Sequence, residues 1–242
     1  MARKKNKEEW KISGNVFDQF TLRHLHFLAN NNYFDEVTHT LDVGKESNVF
    51  LAPKGEGVVL VKIYRLENAN FNKMMQYIGS DPRFPSIKPN KRDVIFSWVQ
   101  REYRNLLVAR QAGVRVPTPY INKAHILVEE FIGDGLKPAP QLKNTDFDTE
   151  EEVTTCYKDI IIQMRLLYHK AKLVHGDLSD FNILYHEAKP VLIDFSQATS
   201  IEDYHSKEYL QRDCKNIARF FNKFGLNVVE EELFDEVIKK EE

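Results

Sequence analysis

The chain has 242 residues, 42% hydrophobic and 29% charged, which is globular composition and enough length for one large domain or two small lobes. Its formal net charge of −2 does not mark a nucleic-acid binder. Two cysteines, Cys156 and Cys214, with no C-x-x-C and no Cys/His cluster, argue against structural zinc and read as reduced core residues of an intracellular protein.

The basic start, "MARKKNKEEW", is followed by no apolar stretch of the signal-peptide kind, and no run is long enough to span a membrane, so a soluble cytoplasmic protein is expected. Residues 1–12 are polar and read as frayed. Phe17, Phe20, His24, Phe27 and Leu28 recur at helical spacing. "DEVTHTLDVGKESNVFLA" alternates about Gly44 like a hairpin with a polar turn, and "VVLVKIY" (58–64) reads as a buried strand carrying one lysine, Lys62. Residues 66–92 show no clear period and are expected to form a long mobile insertion.

From Asp93 to Ala112 the helical period returns, with Ile95, Trp98, Val99, Glu102, Leu106 and Ala109 on one face. Two extended segments follow, "VRVPTPY" and "AHILVEEFIG", and then a linker, "GDGLKPAPQ", from Gly133. A second helix runs through Val153, Cys156, Tyr157, Ile160, Met164, Leu167 and Ala171. Two short strands, "NILYH" and "PVLID", meet at a tight turn, and two helices close the chain, one through Leu210 to Phe224 and one through Leu233, Val237 and Ile238. Strands plus one helix, then helices with a small hairpin, predict an α+β fold in two lobes. The lobes are expected at 1–131 and 132–242.

The chemistry gathers in "VHGDLSDFNILYHEAKPVLIDFSQA" (174–198), which sets Asp177, Asn182 and Asp194 near the ends of short apolar runs. Asx-turns capping strand and helix ends would explain one such residue, but three in this order poorly. An asparagine and an aspartate placed so can hold a divalent cation, because Mg²⁺ suits one or two protein oxygens plus phosphate oxygens. Asp177 would then orient an attacking hydroxyl. An edge strand would explain Lys62 alone, and a rotated helix Glu102 alone. Together they suggest a pair in which the lysine also holds an anion. "GKESNV" (44–49) supplies a polar turn whose backbone N–H groups could cradle phosphate, although one hairpin glycine is a weak signal.

In that order these elements resemble the protein-kinase-like fold. More specifically, "GKESNVFLA", "VKIYR", "REYRNL", "GVRVPTP", "EFIG", "PAPQL", "LVHGDLSDFNILY", "IDFSQA" and "YLQRDCKNIARFF" resemble the RIO-type atypical serine/threonine protein kinases, of the subfamily without a winged-helix N-terminal domain. The resemblance implies ATP as cosubstrate with Mg²⁺ or Mn²⁺, and a pre-ribosomal particle as partner in small-subunit maturation. Lys62 would contact the α- and β-phosphates and pair with Glu102. Asp177 would be catalytic, while Asn182 and Asp194 would ligate the metal, and Asp194 could itself become an aspartyl-phosphate. The Glu130 carbonyl and the Ile132 N–H would read the adenine edge. Lys45, Glu46 and Ser47 would lie over the phosphates, with Val49 also against the nucleotide.

Some positions depart from ordinary protein kinases. Gly176 stands where an arginine usually docks an activation-loop phosphate, and Ser196 stands where the metal-binding motif usually has glycine. No A-P-E segment follows, and the usual peptide-binding subdomains are not expected. Glu129 puts a carboxylate where a bulky apolar residue is common. His175 reads as a brace for its loop rather than a base. Two other functions compete. A small-molecule phosphotransferase of the aminoglycoside or choline kinase kind shares the H-G-D, the asparagine and the I-D pair. A catalytically silent pre-ribosome module could use the basic start together with Arg65, Lys73, Arg83, Lys88, Lys91 and Arg92 to contact RNA.

Overall fold

The computed structural model describes residues 17–67, 70–81, 83 and 90–240. Five strands, β1 (His39–Val43), β2 (Ser47–Lys54), β3 (Gly57–Tyr64), β4 (Pro119–Lys123) and β5 (Ile126–Glu130), form one antiparallel sheet in the order β1-β2-β3-β5-β4. The β-branched run around Lys62 is thus central, hydrogen-bonded on both sides, not an edge. The two-residue period of a strand sorts its side chains by face. Val59, Val61, Ile63, Ile126 and Val128 cluster with Leu25 and Leu28 of helix α1 (Gln19–Asn30), whose start is capped by Asp18 accepting from the Thr21 N–H at 2.7 Å. Leu60, Lys62, Leu127 and Glu129 fall on the opposite face, toward the rest of the molecule.

Helix α3 (Lys91–Gln111) begins where Asn90 accepts from the Asp93 N–H, and it buries the face predicted for it, Ile95, Trp98, Val99, Glu102, Leu106 and Ala109. The larger core lies beyond it. There α4 (Glu150–His169), α5 (Ser206–Asn222) and α6 (Glu230–Ile238) bring together Ile160, Met164, Ile217, Phe221, Leu233 and Val237. Glu150, Glu151 and Glu152 sit in the first turn of α4, where carboxylates meet the positive end of the helix dipole. Strands β9 (Ile183–His186) and β10 (Lys189–Leu192) make the predicted hairpin. The two cysteines are buried and unpaired.

Three expectations need correction. Residues 66–92 are not a loop throughout, because α2 (Phe71–Gly79) lies within them. Asn70 caps its start, and Met74, Tyr77 and Ile78 bury a helical face. Residues 68–69, 82 and 84–89 of that stretch, Lys88 included, lie outside the described residues, as does the basic start of the chain. The "GDGLKPAPQ" segment is not a plain linker, since β6 (Gly133–Asp134) and β7 (Lys137–Pro138) pair within it. Ala171 and Phe224 fall just past the ends of α4 and α5. A short strand pair, β8 (Leu173–Val174) with β11 (Thr199–Ser200), had no sequence signal because two residues carry no period.

Candidate active site

Lys62 stands on the face of β3 away from α1, opposite Val49 on β2 and Leu127 on β5. Its ammonium lies 2.8 Å from Glu102 Oε1 on α3 and 3.4 Å from Asp194 Oδ1. The Tyr64 hydroxyl, two residues along the same face of the strand, donates to the other Glu102 oxygen. Burial alone would push the ammonium down, but Asp194 and Glu102 outweigh it and hold its pKa well above the ordinary value. Burial pushes the Glu102 carboxyl up, even against the pull of Lys62. Asp194 goes the other way: burial would raise it, and Lys62 with the Ser196 hydroxyl brings it below the usual carboxylate range.

Asp194 follows β10 with φ +60°, the left-handed region that few residues other than glycine, asparagine and aspartate enter readily. Ser196 Oγ donates to its Oδ1 at 2.7 Å, which is the role of the serine that replaces the expected glycine. The Asp177 loop lies beside it. Asn182 Nδ2 donates to the Asp177 carbonyl at 2.8 Å, and Gln197 Nε2 donates to Asp177 Oδ2 at 2.8 Å. Burial, with the charge of Asp194, raises the Asp177 carboxyl above its ordinary value. His175 is buried against the Phe195 ring, and its Nε2 is 3.0 Å from the Ile193 carbonyl, which makes it a brace.

The loop is anchored from below by Asp213 on α5. Its two oxygens accept from the N–H groups of Gly176 and Leu178, both at 2.8 Å, and burial pushes its carboxyl up to about 7. Arg212 donates to the Gly176 carbonyl. Gly176 has φ +77°, and a Cβ there would come 3.0 Å from the Gln197 carbonyl oxygen. Any side chain at 176, an arginine included, would be strained by the backbone alone.

A cleft of about 700 Å³ opens between the sheet and this loop region. Ser47, Val49, Lys62, Glu130, Ile132, Asn182 and Asp194 line it. Lys45 and Glu46, at the hairpin tip, do not, and neither do Asp177 and Glu102. Lys45 is exposed, whereas Glu46 is half-buried with its carboxyl raised by burial and by Asp194. The Gly44 N–H closes the turn on the Ser47 carbonyl at 2.9 Å and so cannot hold an anion. Among the described residues, no group of three His, Cys, Asp or Glu side chains could hold a metal. The donors that fit a hard divalent cation are oxygens: Asp194 Oδ2, and the Asn182 side-chain carbonyl, whose amide nitrogen is already turned to Asp177.

The RIO domain matches residues 48–234. The chain belongs to the RIO family. It is 36% identical over 234 residues to the RIO-type serine/threonine-protein kinase Rio1 of Haloferax volcanii, covering 96% of this chain and 79% of that one. Against Rio1 of Methanocaldococcus jannaschii it is 37% identical over 235 residues, covering 97% and 79%. Against human RIO1 it is 34% identical over 239 residues, covering 97% of this chain but only 42% of that protein. The RIO fold is also shared with the Rio2 kinase of Chaetomium thermophilum, solved as an ADP/Mg²⁺-phosphoaspartate complex, at a TM-score of 0.64 and 21% identity, covering 89% of this chain and 66% of that one.

Sequence reading missed Asp213, Gln197 and Tyr64. A signal existed for Asp213, a carboxylate beside Cys214 and between Leu210 and Ile217 on the buried face of α5, as for Glu102 on α3. Gln197 and Tyr64 had none, since an amide and a phenol are ordinary in such segments. The proposed RNA-facing basic set is also partly committed elsewhere. Arg83 donates to Asp81 and Asn105, Arg65 to Asn48, and Lys91 and Arg92 lie over the rings of Phe71 and Phe20.

Proposed function

We propose that this RIO-family chain is an ATP-dependent serine/threonine kinase, an ATPase, or both, working in the cytoplasm on a pre-ribosomal particle during small-subunit maturation. The observation that carries the phosphotransfer reading is the meeting of three residues from distant parts of the chain, Lys62 and Asp194 at one wall of a nucleotide-sized cleft and Glu102 behind the lysine. The ribosomal part rests on the family resemblance.

In this reading the Lys62 ammonium, pre-set by Glu102, meets the α- and β-phosphates. The Glu130 carbonyl and the Ile132 N–H take the adenine edge. Asn182 and Asp194 would hold Mg²⁺ or Mn²⁺, which when bound would screen phosphate charge and orient the γ-phosphate. Asp177 accepts a hydrogen bond from the hydroxyl of the substrate and aims it, and its raised pKa suits it to take up that proton late in transfer. Gln197 holds the Asp177 carboxylate in place while Asp213 fixes its backbone.

The phosphoaspartate in the Rio2 complex supports a second use of Asp194. Its carboxylate would attack the γ-phosphorus. The bond to the β-phosphate oxygen breaks, ADP leaves with that electron pair, and a mixed anhydride remains for water to hydrolyse.

The test is incubation of the purified chain with γ-labelled ATP and Mg²⁺, followed by assignment of the label. Label on protein serine or threonine, or released as phosphate, supports the proposal. Label on an aminoglycoside or choline would place the chemistry with small-molecule phosphotransferases. No turnover would leave a binding module.

A further inference from the structure

Glu129 is a carboxylate to which the described residues offer no hydrogen-bond partner, although the Lys62 ammonium pulls on it through space. It is 9% exposed, near the end of β5, between Leu60 of β3 and Pro119 of β4. Its side chain lines the cleft. It makes no hydrogen bond or ion pair among the described residues, in contrast to its neighbour Glu130, whose Oε2 accepts from the Thr118 N–H at 2.9 Å and from Oγ1 at 2.6 Å. A buried carboxyl without a partner destabilises a protein, and an apolar side chain of similar size would do better there. Burial, with Glu102 nearby, pushes its carboxyl up to about 8, so its surroundings resist its charge.

The register says what it faces. Lys62 pairs with Leu127 and Leu60 with Glu129, so Lys62 and Glu129 are diagonal neighbours on the cleft face of the sheet. Glu129 also directly precedes the Glu130 carbonyl. A purine whose edge reaches that carbonyl, with its phosphates at Lys62, has its 6-position set against the Glu129 side chain.

Resting on the nucleotide reading above, we propose that Glu129 is a specificity-determining residue that accepts a hydrogen bond from the exocyclic 6-amino group of the base. That group has two N–H bonds. The Glu130 carbonyl takes one, and a Glu129 oxygen takes the other. A base with no 6-substituent leaves the buried carboxyl unpaired, and a 6-oxo base meets the Glu130 carbonyl with a second acceptor. Sites that hydrogen-bond a substrate group reject analogues lacking it, because their own polar groups are then stranded.

The experiment measures dissociation constants by titration calorimetry, with Mg²⁺, for ATP and for purine riboside triphosphate, which lacks the 6-amino group. The 242-residue chain is compared with its Glu129→Leu and Glu129→Gln variants. The wild type should favour ATP, and Glu129→Leu should shrink that preference about tenfold by weakening ATP alone, the size of one hydrogen bond to a buried carboxyl. Glu129→Gln keeps a carbonyl acceptor and should restore most of the preference, which a merely structural role would not do. An unchanged preference in Glu129→Leu, with ATP still bound, would overturn the role of Glu129 alone. If the wild type binds neither nucleotide, the nucleotide reading falls and this proposal with it.

Discussion

Removing Lys62 should cost the folded chain more than removing Glu102, although the two form one ion pair. Glu102 is 1% exposed, and without Lys62 its remaining partner is the Tyr64 hydroxyl. Lys62, by contrast, keeps Asp194 at 3.4 Å when Glu102 is gone. Breaking a buried pair from one side costs about 3–5 kcal/mol, and a stranded carboxyl limits its cost by taking up a proton. Lys62→Ala should therefore lose about 3 kcal/mol, a fall in Tm of roughly 6–12 °C for a chain of this size. Glu102→Ala should lose about 2 kcal/mol, much of it lost packing on α3. The double variant should lose about 1–2 kcal/mol less than the sum, since the second change removes a charge already orphaned. Urea unfolding of the four proteins without nucleotide measures all three quantities. Additivity within about 0.5 kcal/mol, or a larger loss in Glu102→Ala, would refute the reasoning.

Asp177→Asn should abolish phosphoryl transfer in the labelled-ATP assay while leaving the ATP dissociation constant within about twofold, because the side chain acts on the attacking group rather than on bound nucleotide. The label, if an acyl phosphate at Asp194, should be released by neutral hydroxylamine or alkali, survive acid and vanish in Asp194→Asn; label that resists hydroxylamine and maps to a serine would leave Asp194 a metal ligand only. Asp213 has a folded pKa of about 7, above its unfolded value, so the folded chain retains a proton that the unfolded chain has already lost. The contribution to stability is then full below the ordinary carboxylate range and declines as the pH rises to about 7. Asp213→Asn should flatten that decline when urea midpoints are compared at pH 5 and pH 8.

What the sequence revealed depended on how each residue announces itself. Lys62 in a β-branched run and Glu102 on an apolar helix face are each costly in isolation, so their pairing could be inferred across forty positions. Asp177, Asn182 and Asp194 showed through their spacing. Helix α2 was hidden because it has only nine residues and the turn-like "GSDP" begins on its last one, although Met74, Tyr77 and Ile78 repeat at helical spacing. The β6–β7 pair was hidden because its glycines and prolines read as linker punctuation. Lys45 and Glu46 were placed over the phosphates by the family resemblance, which does not tell how far the tip of this particular hairpin reaches. Asp42, Ser47 and Val49 reach the cleft, while the two tip residues do not.

Helix α3 does more than present Glu102. Arg101 Nη2 donates to the Ala198 carbonyl at 3.0 Å, and Asn105 Nδ2 donates to the carbonyls of Phe195 and Ala198 at 3.0 and 2.7 Å. Both polar side chains are buried, so these three bonds are not readily traded for water. The helix that orients the lysine is thereby stitched to the segment that carries Asp194. A swing of the whole helix that took Glu102 from Lys62 would either break these three buried bonds or carry the Asp194 segment with it. In the phosphotransfer reading proposed above, a site cross-braced in this way would hold its lysine–carboxylate pair ready before nucleotide arrives, and control would fall to whatever covers or clears the mouth of the cleft.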